Sequence, residues 1–361
     1  MTAVPDRMRA VLLTGNGGFD CLVLRDDVPV PQPRLGEVLI RVAAAGVNNT
    51  DINTRTAWYS KSVDSATEAG GAQGFAGAQT EDSGWTGALP QFPRIQGADA
   101  CGYIAAVGAG VDAARIGERV LVEPVFRAPG AGLGEALYFG SEHDGAFAEF
   151  ATAPSVHAHR ITSDLSDAEL ASFPCAYSAA ENILARTGLT RGERVLITGA
   201  SGGVGSAAVQ LAVRRGAEVI AVVGPDKAKA LLAIGASLTL SRSTDLIAAL
   251  GGESIDVVID IVGGSQFEQL LGLLRRGGRY GVAGAIAGPI VALDLRTLYL
   301  KDLRMIGCTV LEHEVFVNLI GYIERGEIKP LVAATYPLAQ IVAAQTAFLG
   351  KAHVGKIVLT L

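Results

Sequence analysis

Through residues 1–160 the apolar positions come in short runs broken by glycine and proline. Met8–Leu13, Glu37–Ala43, Gly102–Val107, Arg119–Val122 and Ala146–Ala151 read as strands, and Pro29, Pro31 and Pro33 punctuate the stretch. No long helical period runs through it, and the rhythm predicts an irregular β-barrel or sandwich. From about residue 165 the grammar changes. The continuous apolar runs Arg194–Thr198, Glu218–Val223, Asp256–Ile261 and Arg279–Val282 alternate with helical segments. Gly205–Arg215 and Pro225–Ile234 are two of these, and they stop at Gly216 and Gly235. Apolar strands alternating with helices predict a parallel sheet covered on both faces. Near the end, helices are predicted around Val315–Arg325 and Leu338–Leu349, followed by a strand at Lys356–Thr360. Periodicity leaves open whether these extend the parallel sheet or return to the first half.

One segment fits neither grammar. Ser60–Gly87 is rich in Gly, Ala, Ser and acids and nearly free of branched aliphatics. It reads either as a mobile surface insertion, spanning about residues 60–94, or as a lid. In the second reading Trp58, Tyr59, Phe75 and Trp85 close over an apolar substrate.

Composition narrows the choice of function. At 361 residues the chain exceeds one ordinary hydrophobic core, so two domains are expected. With 49% hydrophobic and 18% charged residues a packed core is feasible. A net charge of −6 argues against a nucleic-acid surface, though not against a local phosphate pocket. No uninterrupted apolar run of about 18 residues predicts a membrane span. The four cysteines, at positions 21, 101, 175 and 308, form no CxxC pair, which excludes a structural zinc cluster and a disulfide scaffold. The opening MTAVPDRMRAVLLTG holds no apolar signal segment, so a cytoplasmic setting is expected. Among the five histidines, His157 and His159 alternate on one strand face. They read as an exposed pair with no carboxylate nearby, and no metal site is expected of them.

The sharpest local signal is Arg194-Val-Leu-Ile-Thr-Gly-Ala-Ser-Gly-Gly-Val-Gly205. An apolar strand ends, glycines turn the chain, and a helix opens at once. Gly202, Gly203 and Val204 let backbone N–H groups approach a pyrophosphate, and Gly205 permits close packing of helix on strand. About twenty residues on, where a site for NAD carries an acid against the ribose, Val222-Val223-Gly224 has none. Lys227 and Arg242 follow and are candidate partners for a 2′-phosphate, or else ordinary solvated cations. The balance favours NADPH over NADH.

These features sit among others that extend along the chain: Gly36-Glu-Val-Leu-Ile-Arg-Val42, Ala45-Gly-Val-Asn-Asn-Thr-Asp51, Gly97-Ala-Asp-Ala-Cys-Gly102, Ile116-Gly-Glu-Arg-Val120, Gly145-Ala-Phe-Ala-Glu-Phe150 and Val354-Gly-Lys-Ile-Val-Leu359. Together they resemble the medium-chain dehydrogenase/reductase superfamily, in its zinc-free, quinone oxidoreductase-like branch. The resemblance implies a doubly wound Rossmann parallel sheet, residues 161–311, inserted into a GroES-like β-rich catalytic domain made of residues 1–160 and 312–361. Zinc-dependent members hold ligands where this chain has Asn48, Ala98 and, in a third region, Cys175, so the resemblance implies no catalytic zinc. Cys175 reads as a small buried hydrophobe or, alternatively, a ligand or nucleophile.

By the same resemblance Asn48, Asp51 and Tyr59 line the substrate site, with Asn48 and Tyr59 as hydrogen-bond donors to a carbonyl oxygen. Each also has a structural reading, Asn48 and Asp51 fixing the turn and Tyr59 packing. The resemblance adds Ser178, Val262, Ala283, Gly284, Cys308, Thr309 and Lys356 to the cofactor site. It implies hydride transfer from NADPH to a quinone or an α,β-unsaturated carbonyl. An alcohol dehydrogenase or carbonyl reductase, or a non-catalytic NADPH-binding redox sensor, are the alternatives. Relatives dimerise through the Rossmann sheet edge, and Arg296–Gly307 is apolar enough to contribute, so a homodimer is expected.

Overall fold

The computed structural model describes residues 4–128 and 130–361. Two sheets of opposite character carry the chain. The first is seven-stranded and mostly antiparallel. Its order is Ala158–Arg160, Arg119–Val122, Cys101–Val107, Glu37–Gly46, Lys356–Thr360, Val332–Pro337, with Phe150–Pro154 also paired to Glu37–Gly46. The chain's last strand thus lies between Glu37–Gly46 and Val332–Pro337, antiparallel to one and parallel to the other. Of the two destinations that periodicity left open, this strand takes the return to the first half. A three-stranded sheet, Leu22–Pro29, Arg7–Leu13 and Arg94–Ile95, flanks it. Val38, Ile40, Phe147, Ile357 and Leu359 belong to its core, together with Ile341 and Phe348 from the helix Ile341–Leu349.

The second sheet is wholly parallel, in the order Leu238–Leu240, Glu218–Val222, Arg194–Ile197, Ile255–Asp260, Leu274–Val282, Arg304–Gly307. Numbered along the chain this is 3-2-1-4-5-6, the dinucleotide-binding arrangement whose direction reverses between Arg194–Ile197 and Ile255–Asp260. Val195, Leu196, Ile197, Val257, Val258 and Ile259 are fully buried, as expected of strands covered on both faces. The fold is therefore a GroES-like β-rich part and a Rossmann-type parallel sheet. The helix His313–Glu324 packs on the parallel-sheet side, where Val315, Phe316 and Leu319 share a core with the helix Pro174–Arg186.

The periodicity missed two helices that matter. Asn49–Thr56 is polar throughout except Ile52, yet Asp51 to Thr56 are all buried. Pro174–Arg186 starts with proline in its first turn. Elsewhere boundaries shift: the helix over Gly203–Arg214 opens two residues earlier than its pattern suggests, at the glycine turn itself.

The segment from residue 60 to 94 is tied down at many points. Trp58 Nε1 donates to Ser65 O at 2.9 Å, and the buried Arg55 guanidinium donates to Gly71 O at 2.6 Å and to Gly17 O at 2.9 Å. Thr67 N–H donates to Ile286 O, in the loop after the strand Leu274–Val282, at 3.0 Å. Trp85 stacks on Tyr138 with ring centres 4.3 Å apart.

Candidate active site where the two sheets meet

The glycine turn has the geometry a pyrophosphate needs. Gly199 lies at φ +56°, in the left-handed region that favours glycine. A Cβ on Gly205 would strike Gly199 O and the Ala200 backbone, which is why the helix can begin so close to the strand. Gly202, the residue capping this helix, is extended, and a Cβ there would meet nothing nearer than 3.6 Å. The N–H groups of the helix's first turn face that open space, at the reversal point of the sheet.

Opposite it, the loop after Ile255–Asp260 is held by one buried carboxylate. Asp260 Oδ1 accepts from Thr198 Oγ1 at 2.6 Å, Val262 N–H at 2.8 Å and Gly263 N–H at 3.1 Å, and Oδ2 accepts from the Tyr280 hydroxyl at 2.5 Å. Burial and Asp260 push the Tyr280 hydroxyl far up, keeping it a donor. Val262 is thereby fixed beside the glycine turn. Ala283 N–H bonds to Asp260 O at 3.1 Å, a Cβ on Gly284 would lie 3.0 Å from Ile261 O, and Cys308 N–H bonds to Val282 O at 2.9 Å. These strand ends line one side of the crevice, with Cys308 buried and Thr309 exposed. Ser178 is buried, and its hydroxyl bonds back to Cys175 O at 3.3 Å.

The chain's final strand joins the two halves. Gly355 N–H donates to Ser201 O in the glycine turn at 2.9 Å, and a Cβ on Gly203 would lie 2.8 Å from Lys356 Cδ. From there the Lys356 side chain runs into the other half and is 2% exposed. Its Nζ donates to Asp99 Oδ2 at 2.7 Å, Asn48 Oδ1 at 2.5 Å and Val47 O at 3.0 Å. Asn48 Nδ2 donates to Asp99 Oδ2 at 2.8 Å and Asp99 Oδ1 accepts from Cys175 N–H at 2.5 Å. Of the three positions matched to zinc ligands in the sequence, Asn48 and Cys175 thus contact a buried ammonium–carboxylate pair, and the third, Ala98, precedes its Asp99 in the chain. Burial and then Asp99 push the Cys175 thiol far up, so it stays protonated. Its backbone, not its sulfur, serves the cluster.

Asn48 also precedes the helix Asn49–Thr56, and Asp51 closes that helix end by accepting from Asn48 N–H at 2.8 Å. Asp51 Oδ1 takes Gly97 N–H at 3.2 Å. Burial raises the Asp51 carboxyl to about 7, against the opposing pull of the Asn48 N–H and Lys356. Asp51 is spent on positioning the turn. The amide protons of Asn48, expected from the sequence to face substrate, are likewise taken, by Asp99 and by Gly46 O at 3.3 Å. Tyr59 is differently placed. It packs edge-on against Trp58 at 5.7 Å, with Thr50 and Asn53 as hydrogen-bonding neighbours of its hydroxyl. Burial pushes that hydroxyl up to about 12, so it is a neutral donor.

The sequence reading missed a group of cations on the loop leading into the last strand. Lys351 Nζ donates to Asn49 Oδ1 at 3.1 Å, and Lys227 Nζ donates to Lys351 O. Burial, then repulsion from Lys227, lowers the Lys351 ammonium to about 8. Burial, then Lys351, Lys227 and Lys356, lowers the His353 imidazolium to about 4. Burial and Arg242 lower Lys227 in turn. Arg242 itself is exposed. The basic run Lys351-Ala-His353-Val-Gly-Lys356 was the available signal, but its distance in sequence from the glycine turn hid it.

A second expectation is overturned in the first sheet. His157 and His159 were read as an exposed pair without a carboxylate. His157 is buried, and Glu123 lies between them, because Arg119–Val122 pairs antiparallel with Ala158–Arg160 and brings the two together.

Comparison with known proteins agrees with this geometry. Residues 34–163 match the model of the alcohol dehydrogenase GroES-like domain, and residues 203–325 match that of the zinc-binding dehydrogenases. The chain is 30% identical to the quinone oxidoreductase of Mus musculus, over 98% of each chain. It is 29% identical to the acryloyl-coenzyme A reductase of Metallosphaera sedula, over 98% of this chain and all of that one. The crystal structure of a candidate alcohol dehydrogenase from Sinorhizobium meliloti 1021 superposes with a TM-score of 0.88 at 48% identity, covering 99% of this chain and 97% of that one. The chain belongs to the medium-chain dehydrogenase/reductase superfamily, in its quinone oxidoreductase-like branch, and is an NAD(P)H-dependent oxidoreductase.

Proposed function

We propose that the protein uses NADPH, without zinc, to reduce quinones or α,β-unsaturated carbonyl compounds. The observation that carries this reading is the Lys356 ammonium, buried against Asp99 and Asn48 among the positions where zinc-dependent relatives hold metal. A catalytic zinc needs three protein ligands and an open position. Asn48, Ala98 and a protonated Cys175 do not supply them, and a fixed cation already sits between. The preference for NADPH rests on Lys227 and Lys351, whose basicities are lowered by burial and then by neighbouring cations, with the neutral His353 imidazole beside them. A 2′-phosphate would supply a compensating negative charge.

NADPH, which the glycine turn Gly202-Gly-Val204 would hold, would supply a hydride to the β-carbon of a conjugated carbonyl. The residues of the chain handle the charge that develops on the oxygen. Every proton of Lys356 Nζ is already matched to an acceptor, so the Tyr59 hydroxyl is the group we assign to donate to that oxygen. Trp58, Trp85 and Tyr138 supply apolar surface beside it, and the packed 60–94 segment closes the site as a lid. Asp51 and Asn48 position the start of the helix Asn49–Thr56, and Tyr59 lies just past its other end.

A second reading, reduction of a simple carbonyl, draws on the alcohol dehydrogenase description of the 48% identical structure. One experiment separates the two. Protein dialysed against a chelator is assayed with 1,4-benzoquinone, an enone and a saturated ketone, with NADPH or NADH. Quinone or enone turnover that survives chelation, with higher kcat/KM for NADPH, is expected. Ketone-only activity that is lost on chelation and restored by Zn2+ would overturn the proposal. We also propose a homodimer through the sheet edge Arg304–Gly307, where Leu295, Tyr299, Leu300 and Met305 leave apolar surface exposed.

A further inference from the structure

The turn of the first sheet's edge strand brings together three metal-ligating side chains that the reaction does not use. Glu123 Oε2 lies 2.8 Å from His157 Nδ1 and 3.2 Å from His159 Nε2. The three ligand atoms all fall within 4.8 Å of one another. They share no residue with the Asn48, Asp99 and Lys356 cluster. We propose that Glu123, His157 and His159 form a structural binding site for a divalent d-block cation, Zn2+ by preference, with water completing its shell.

The ligand chemistry and spacing fit. Two imidazoles and one carboxylate are a borderline-soft donor set that suits zinc, cobalt or nickel better than magnesium or calcium. Tetrahedral zinc with bonds of about 2.0–2.1 Å separates its ligand atoms by roughly 3.4 Å. The two observed separations therefore need only small outward shifts, in which the cation replaces the protons now shared between the rings and Oε2. The donors are also held in place before any ion arrives. Glu123 N–H donates to His157 O at 2.9 Å, locking the cross-strand register. His157 stacks on Phe126 with ring centres 5.3 Å apart, and His159 packs on Phe316 at 4.9 Å. The side chains are mostly buried, at 12% exposure for Glu123, 10% for His157 and 18% for His159.

An ion here would do mechanical work. Among the described residues Ala158–Arg160 is the outermost strand of its sheet, paired to Arg119–Val122. Phe316 belongs to the helix packed on the parallel-sheet side. The cation would clamp the edge strand and stiffen the contact between the two halves.

The test is a titration of chelator-treated full-length protein with Co2+ and Zn2+, followed by calorimetry and by the cobalt absorption spectrum. Wild-type protein is compared with Glu123→Gln, His157→Asn and His159→Asn, each checked for folding by circular dichroism. One ion per chain is expected, with the d–d bands of nitrogen and oxygen ligation, and at least about tenfold weaker binding in each variant. Three results overturn the proposal: no stoichiometric binding, unchanged affinity in folded variants, or a thiolate charge-transfer band that puts the ion on cysteine. His157 is the most buried of the three; if its variant does not fold, Glu123→Gln and the more exposed His159→Asn decide.

Discussion

Within six residues the loop entering the last strand carries two arrangements of positive charge with different completeness. Lys356 is closed. Its ammonium meets the Asp99 carboxylate, the Asn48 amide oxygen and the Val47 carbonyl, all inside the protein. Lys351 and His353 are open. After burial, Lys227 lowers Lys351, and Lys351 and Lys227 lower His353. Glu68 offsets Lys351 only in part. A cation with an internal partner maintains the fold around the site, whereas a crowded set lacking one is suited to an anion from outside. In the function proposed above, the first belongs to the substrate site and the second is assigned to the cofactor.

The largest effect expected follows from breaking the closed pair. Lys356→Met leaves Asp99 buried without its cation, which costs about 3–5 kcal/mol by the usual measure of a broken buried pair. Chemical denaturation should show that loss, and the double variant Lys356→Met/Asp99→Asn should recover part of it. An equal loss in the double variant would mean that the stem of Lys356 packed over Gly203, rather than its charge, carries the stability.

Next comes the carboxyl that neighbours the pair. The Asp51 value rises from near 4 in the unfolded chain to about 7 in the folded one, so the folded state binds the proton more tightly. Its contribution to stability is complete below about 4 and is lost as pH rises through about 7. Denaturation midpoints measured from pH 4 to 8 should fall across that window, and Asp51→Asn should flatten the decline. A profile of unchanged slope in that variant would place the titration elsewhere.

The closed pair also sharpens the assignment of the donor. If Lys356 has no proton to spare, Tyr59→Phe should lower kcat on the order of 10²-fold with little change in KM, as for removal of one oxyanion donor. Near-normal turnover in this variant would return the role to Asn48 or Lys356.

Much of this was legible in the sequence, for identifiable reasons. Strands such as Arg194–Ile197 are read from continuous apolar runs, and the glycine turn after them from the backbone freedom it demands. Both are local signals. The helix Asn49–Thr56 was not legible, because its buried residues are Asp, Asn, Thr and Arg, satisfied by partners far away in the chain such as Gln345 and Gly97. The same is true of Glu123 between His157 and His159, and of Lys356 against Asp99, separated by 257 positions. The 60–94 segment looked mobile by composition. Its hydrogen bonds from Trp58 and Arg55 and the stacking of Trp85 on Tyr138 leave little trace in hydropathy. Position 48 shows the limit most plainly. That it is a carboxamide can be seen in the sequence, but that its amide faces Asp99 and Lys356 is a fact only the fold supplies.

The smallest expected effect tests the open half of the comparison. Removing one charge-assisted contact to phosphate costs about 1.5 kcal/mol, or roughly tenfold in affinity. Lys351→Ala should therefore raise the KM for NADPH about tenfold while leaving that for NADH nearly unchanged, since only the former presents a 2′-phosphate. The pH dependence supplies an independent check with a definite sign. In the free protein Lys351 sits at about 8, and a bound dianion would raise it. Binding of NADPH then takes up a proton above pH 8, so its affinity is full below that pH and weakens as pH rises further. The KM for NADPH should climb between about pH 8 and 10 in the wild type and climb less in Lys351→Ala. The NADH value should stay flat in both. If NADH shows the same climb, the cations serve the pyrophosphate shared by the two cofactors, and the loop does not select between them.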